Sequence, residues 1–280
     1  MKRLLWVAAI CFLVSAGCED IDLRLATEAG IDVVKAITLS DKEVMQLAEK
    51  AAVQIDQKNQ IAPPESKYTK RLNRLVGEHR QEDGYTFEYK VYLSPTVNAF
   101  ALGNGSIRIY SGLMDMMDDS ELRFVIGHEM GHVVEKHIKK KMELALASSA
   151  LRKGIASQQN IVGDLARSAL GSFINAFLNA QFSQEEEKAA DAYALKFMKR
   201  EGYDQKGAIS ALEKLATLGS NHTFLSSHPA PGKRAERMKM GIHSPEKLAE
   251  KGLMEKAWSI LQSIIKWAIE IVGKIISYFI

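Results

Sequence analysis

The 280-residue chain is predicted to be an α+β protein, mainly helical with a small β-sheet, and to end in a C-terminal amphipathic helix. Three observations predict this. Apolar residues recur at spacings of three and four through most of the chain. Two short runs near the middle alternate with a period of two. Residues 247–280 sort into one apolar and one polar face. The length suits one large domain with appendages, here 1–17 as a leader, 18–246 as the domain and 247–280 as a tail.

Lys2 and Arg3 open the chain, Leu4 to Val14 form an apolar run, and Ser15, Ala16 and Gly17 precede Cys18. A basic start, an apolar run too short to span a bilayer and small residues before a cysteine read as an export signal. Its ending resembles a bacterial lipoprotein signal, in which the cysteine is lipidated and begins the mature chain. Ser15 departs from that pattern, which usually has leucine there, and plain secretion with nearby cleavage is the alternative. Either way the protein is expected outside the cytoplasm, in the bacterial cell envelope, and the first reading has it lipid-anchored and facing the periplasm. Cys11 and Cys18 are the two cysteines. The mature domain therefore has no thiol beyond Cys18, which excludes cysteine-protease chemistry and thiolate-bound zinc. The formal charge of +3, without a basic stripe interleaved with aromatics, excludes nucleic acid as a partner.

Residues 19–60 carry a helical pattern through Leu39, Val44, Leu47, Ala48, Ala51, Ala52 and Ile55, with Ser40, Asp41 and Glu43 as its start signal. Ile61-Ala62-Pro63-Pro64 breaks it. A second helix over 66–80 carries Leu72, Leu75 and Val76. After Gly84 the period becomes two: Phe87, Tyr89, Val91 and Leu93 alternate with Glu88, Lys90 and Tyr92. Pro95 stops this strand. The turn Gly103-Asn104-Gly105 leads to a second strand, Ile107-Arg108-Ile109-Tyr110. A short helix over 113–117 and a long one from about Ser120 to Lys141 follow. The Ala-, Ser- and Gln-rich stretch 142–182 is weakly patterned and suits a lid. Helices are expected over 184–200, 205–218 and 232–240, with 226–231 as a loop.

The long helix contains His128-Glu129-Met130-Gly131-His132. Residues four apart on a helix lie one turn above each other, so both imidazoles can face one zinc ion. Glu129, about 100° round the helix, misses the ion but reaches a water beside it. Such a motif also occurs by chance. Here Phe124, Val125, Ile126, Val133 and Val134 bury the helix, and ionisable groups in a buried helix are costly unless paired or metal-bound. Gly131 lets a neighbour approach closely.

A catalytic zinc wants a third protein ligand. His137, five residues past His132, is about 140° away on a continuous helix and reads as a surface or cap histidine. Another zinc-protease class puts a third histidine six residues after the second, with a glycine midway. Ile138 and Glu135 hold those positions, so that class is rejected. The better source is Ser183-Gln184-Glu185-Glu186-Glu187-Lys188-Ala189-Ala190-Asp191. Glu187 and Asp191 are one turn apart, and the alanines keep the helix slim enough to pack on Gly131. Glu187 can complete a His-His-Glu set, and Asp191 can accept from a ligand imidazole. Glu186 is the rival ligand, and charge does not separate the two.

These blocks, with Asn98-Ala99-Phe100-Ala101, Gly105 to Leu113, and Ser227-His228-Pro229 followed by Arg234, resemble the M48 metallopeptidases. The likeness is to the bacterial periplasmic and lipoprotein branch, related to a mitochondrial inner-membrane quality-control protease, and spans about 40–240. It implies a gluzincin-type zincin domain and one zinc per chain. His128, His132 and Glu187 would be ligands, Glu129 the general base and Asp191 the group behind a ligand. His228 and Arg234 would sit near the active site as catalytic neighbours, one or the other helping to stabilise the oxyanion, with a structural turn as the alternative role of Ser227-His228-Pro229. Gln184 stands where the family has arginine.

The implied activity is zinc-dependent endopeptidase hydrolysis of exported or membrane-associated polypeptides, in envelope quality control. A catalytically silent zinc-binding or chaperone-like lipoprotein is the alternative. Ile107, Arg108, Ile109 and Tyr110 are expected to form a substrate rail, since a strand edge holds an extended chain by main-chain hydrogen bonds; a plain internal strand is the alternative. The tail places Trp258, Trp267, Tyr278 and Phe279 for a membrane surface, or packs on its own domain or a second copy. Oligomeric state is not legible.

Overall fold

The computed structural model describes residues 39–153, 170–219 and 223–243 and, in the tail, 254, 256, 258–267, 269 and 271. The leader with Cys18, the centre of the expected lid and Tyr278 and Phe279 lie outside the described residues. The chain divides into two compact units, Met1–Leu47 with Lys139–Leu178, and Ala48–Ile138 with Asn179–Ile280.

The first helix, α1 (Asp41–Lys58), starts as its sequence signals. The Ser40 N–H donates to Glu43 Oε2 at 2.8 Å and the Glu43 N–H returns to Ser40 Oγ, a reciprocal cap. In the first unit the Leu39 N–H donates to Glu143 Oε1 and Lys139 pairs with Asp41. In the second unit α2 (Lys67–Val76) is capped by Ser66, and Leu72, Leu75 and Val76 are buried. A two-stranded ribbon of β1 (Gln81–Glu82) and β2 (Tyr85–Thr86) turns through Asp83 and Gly84, both at positive φ, as two-residue hairpins require.

The main sheet has three strands in the order β3 (Glu88–Tyr92), β5 (Ser106–Tyr110), β4 (Ala99–Ala101). β3 runs parallel to β5 along its whole length, and β4 runs antiparallel. Local alternation identified β3 and β5 but not the three-residue β4. Gly105, at φ +80°, closes the turn where a Cβ would lie 2.2 Å from the Thr86 carbonyl oxygen.

This order corrects the expected rail. β5 is the middle strand, with both edges hydrogen-bonded, so Ile107, Arg108, Ile109 and Tyr110 have no free edge to offer a peptide. Arg108 is also only 1% exposed. Its Nε and Nη2 bind the two carboxylate oxygens of Asp56 at 2.8 and 3.1 Å, and Nη2 also binds Glu88. Lys90 and the Tyr92 hydroxyl close the group on Asp56. Burial pushes Asp56 up, but the hydrogen bonds from Arg108, Lys90 and Tyr92 outweigh it and hold the carboxyl at about 2.

After α3 (Ser111–Met116) comes the motif helix, α4 (Asp119–Val134). It ends seven residues before the expected Lys141, because Lys136 takes a left-handed φ of 58°. A new helix, α5 (His137–Lys153), begins there. The remaining helices are α6 (Leu170–Asn179), α7 (Gln184–Arg200), α8 (Lys206–Ala216), a single turn α9 (Thr223–Ser227) and α10 (Pro231–His243). α9 occupies the start of the stretch expected as a loop.

Candidate metal centre

Two capped helices supply the site. On α4, Asp118 accepts from the Glu121 N–H and the Glu121 carboxylate returns to the Asp118 N–H, which completes a capping box. Glu121 is 1% exposed and also receives the Ser210 hydroxyl and Lys214, so the helix start is tied to α8. On α7, Ser183 and Glu186 form the same box. This separates the two rival glutamates. Glu186 takes the Ser183 N–H and hydroxyl, both at 2.8 Å, whereas Glu187 lies buried among the histidines.

The two helices meet over small residues. A Cβ on Gly131 would stand 3.1 Å from the Ala190 Cα and carbonyl oxygen, and one on Gly127 would stand 3.3 Å from the Ala194 Cα. This approach brings α7 side chains within reach of α4 imidazoles. His132 Nε2 lies 3.1 Å from His128 Nε2 and 3.3 Å from Glu187 Oε1, and His128 Nε2 lies 3.6 Å from Glu187 Oε2. A tetrahedral ion held at about 2.0–2.1 Å spaces its ligand atoms about 3.3 Å apart, so the three donors fit one small divalent ion. His228 joins them: its Nδ1 is 3.0 Å from Glu187 Oε1 and 3.2 Å from His128 Nε2. All four residues offer donor atoms within 4.8 Å of one another.

The outward nitrogens are engaged as well. His128 Nδ1 lies 3.1 Å from Asp191 Oδ1, the partner the one-turn spacing to Glu187 suggests. His132 Nδ1 lies 3.1 Å from His137 Nδ1. The structure therefore corrects the reading of His137 as a surface or cap residue. The break at Lys136 swings it back, where a continuous helix would have turned it away. With both Nδ1 atoms occupied, both Nε2 lone pairs are left to face the centre. Phe182 stacks on His132 at 3.7 Å between centroids and Phe224 on His228 at 4.6 Å. The Phe182 N–H is pinned to the Ser227 carbonyl.

Arg234 is buried, with Nε and Nη2 on Asp191 and Nη1 against Glu187. Arg237 adds a second cation to Asp191 at 2.7 Å. Sequence reasoning missed Phe182, Phe224 and Arg237. For Arg237 the signal was available, since it follows Arg234 by three residues on one helix face; the phenylalanines carried none.

Burial holds the His132 imidazole well below its usual range. Burial also pushes Glu187 up, but Arg234, His228 and His128 more than reverse this and hold it well below the ordinary carboxylate range. Asp191, likewise pushed up by burial, is drawn down to about 2 by Arg234 and the His128 hydrogen bond. Glu129 Oε1 has no hydrogen bond, 3.4 Å from His228 Nε2. Glu187 Oε2 has none either, since Arg234 Nη1 touches it out of line. Buried carboxylate oxygens without donors, beside imidazole nitrogens, are the environment a cation completes, and this nitrogen and carboxylate donor set matches zinc.

The comparisons with known proteins agree. Residues 65–241 match the model of peptidase family M48. The chain is 41% identical to the Escherichia coli (strain K12) protein named Metalloprotease LoiP, over 85% of this chain and 95% of that one. It is 36% identical to Metalloprotease YcaL of the same organism, over 87% and 98%. It is 33% identical to the Mitochondrial metalloendopeptidase OMA1 of Arabidopsis thaliana, over 65% of this chain and 35% of that one.

Proposed function

The chain belongs to peptidase family M48 and is a metalloendopeptidase, and from that premise we propose that its metal is one zinc ion held by His128, His132 and Glu187. The observation that carries this reading is the set of three donor atoms at 3.1–3.6 Å, with the outer nitrogen of each imidazole already engaged. When bound, the ion supplies Lewis acidity, lowering the pKa of a water and polarising the scissile carbonyl.

The residues divide the remaining work. Glu129, dry and with Oε1 free of hydrogen bonds, takes the proton of the attacking water and passes it to the leaving amine nitrogen. His228 Nε2, beside that oxygen, donates to the oxyanion that forms at the former carbonyl. Arg234 spends its nitrogens on Glu187 and Asp191, so it positions the ligand set and does not touch substrate. Asp191 and His137 fix the tautomers of His128 and His132.

A substrate rail remains necessary for an extended peptide, and β4 serves as one only once the element over it moves, since Ala99 and Ala101 are 0% and 2% exposed. The Tyr110 N–H donates to the Asn98 carbonyl and the Leu102 N–H to the Ser106 carbonyl. The antiparallel alternation then turns the peptide groups of Ala99 and Ala101 away from β5. The sequence supports the rest of the reading. The division into 1–17, 18–246 and 247–280, lipidation at Cys18 and periplasmic exposure in the bacterial envelope follow from the leader. Substrates are then exported or membrane-associated polypeptides, and the task is envelope protein quality control.

Glu129→Gln tests the chemistry. The variant retains one zinc per chain by metal analysis and loses casein hydrolysis by a factor of about 10²–10⁴. Wild-type turnover by this variant, or zinc far below one per wild-type chain, would defeat the assignment.

A further inference from the structure

We infer that the tail segment around 258–267 is an in-plane membrane-surface helix, whose occupant is the acyl-chain border of a lipid leaflet. Residues 258–267 are helical. At about 100° per residue, Trp258, Ile260, Leu261, Ile264, Ile265 and Trp267 cover an arc of about 180°. Lys256, Ser259, Gln262, Ser263 and Lys266 fill the rest. The apolar members are 44–63% exposed, so no described residue covers them.

Two features choose lipid over a second copy. First, the two indoles, nine residues apart, lie about 180° from each other, one on each border of the apolar arc. A helix lying in a membrane surface holds its borders at headgroup depth, where an indole can bury its ring and keep its N–H in polar surroundings. A helix pair instead buries the centre of a narrower stripe. Second, the polar arc brings no net attraction for a charged protein surface: Lys256 and Lys266 are offset in the sequence by Glu255 and Glu270. Apolar burial drives the association, and salt leaves it unchanged. No described helix is long and apolar enough to cross a membrane.

The chain reports on this itself. Its three tryptophans are Trp6, Trp258 and Trp267, so in the full-length Trp6→Phe protein the indole signal comes from the tail alone. With vesicles of neutral phosphatidylcholine brominated on the acyl chains, the emission shifts to the blue and is quenched, equally at low and high salt. Ile264→Asp, at the centre of the arc, raises the lipid needed for half-maximal quenching about tenfold or more. Ser263→Asp, on the polar arc, leaves it unchanged. Casein hydrolysis in vesicle-free buffer is unaffected by either change, which separates this inference from the catalytic reading. Absence of quenching, or quenching indifferent to Ile264→Asp, overturns the inference. So does an unquenched dimer in sedimentation that Ile264→Asp dissolves, which assigns the face to a second copy.

Discussion

Two clusters of charge lie in the second unit, one around the buried Arg108 and one around the buried Glu187, and they are built on opposite principles. Around Arg108, two carboxylates (Asp56, Glu88) meet two cations (Arg108, Lys90), and each charge touches its opposite. Around Glu187, three carboxylates (Glu129, Glu187, Asp191) meet two guanidinium groups (Arg234, Arg237) and imidazoles, of which His132 is kept neutral by burial. Three acidic side chains against two arginines leave one acid without a permanent cation of its own. Two carboxylate oxygens of that cluster also lack a hydrogen bond. A closed cluster fixes a fold. An open one, in the same protein and drier, is kept for something the chain does not itself supply.

The largest effect expected from breaking this contrast is on the closed side. Arg108→Met leaves Asp56 and Glu88 with Lys90 as the one cation they share and should destabilise the fold by about 1.5–3 kcal/mol, read by chemical denaturation. Zinc per folded chain should stay at one; a loss of zinc there would show that the clusters are not separable. On the open side, Asp191→Asn removes the acceptor behind His128 and should weaken zinc binding about 10–100-fold, measured by competition with a chromogenic chelator. His137→Ala, which acts on the other imidazole from a less buried position, should fall at the low end of that range. The smallest effect is in acid. The Asp56 carboxyl, at about 2 against an ordinary 3.8, contributes stability that is complete above the ordinary value and lost as pH falls through about 2. In Asp56→Asn, part of the decline in denaturation midpoint between these pH values should disappear.

What could be read without coordinates was what helix geometry encodes locally. The spacing of His128 to His132, the glycine between them, the alanines around Ala190 and the one-turn step from Glu187 to Asp191 all carry three-dimensional meaning in a few residues. The rail failed because strand order is not local. Period-two alternation finds β5 but cannot say that β3 and β4 flank it, and the partner that buries Arg108 lies 52 residues upstream. The break after Val134 was equally hidden. It falls at Glu135-Lys136, where neither glycine nor proline announces a turn, so His137 was projected along a helix that had already ended. Phe182 and Phe224 were invisible for another reason: a phenylalanine over an imidazole has the same sequence signature as one in any core.

The paired capping boxes have a further consequence, which concerns length. Each ligand-bearing helix starts at a fixed point, Asp118 for α4 and Ser183 for α7, and the count from that point sets the compass bearing of everything after it. His128 stands ten residues from its cap and Glu187 four. One inserted residue in either interval would rotate the downstream ligand by about 100° and lift it about 1.5 Å, out of the centre altogether. Four inserted residues would nearly restore the bearing but raise the ligand by about 6 Å. The caps therefore act as the zero marks of two rulers, and in these intervals this protein can exchange side chains but cannot gain or lose a residue.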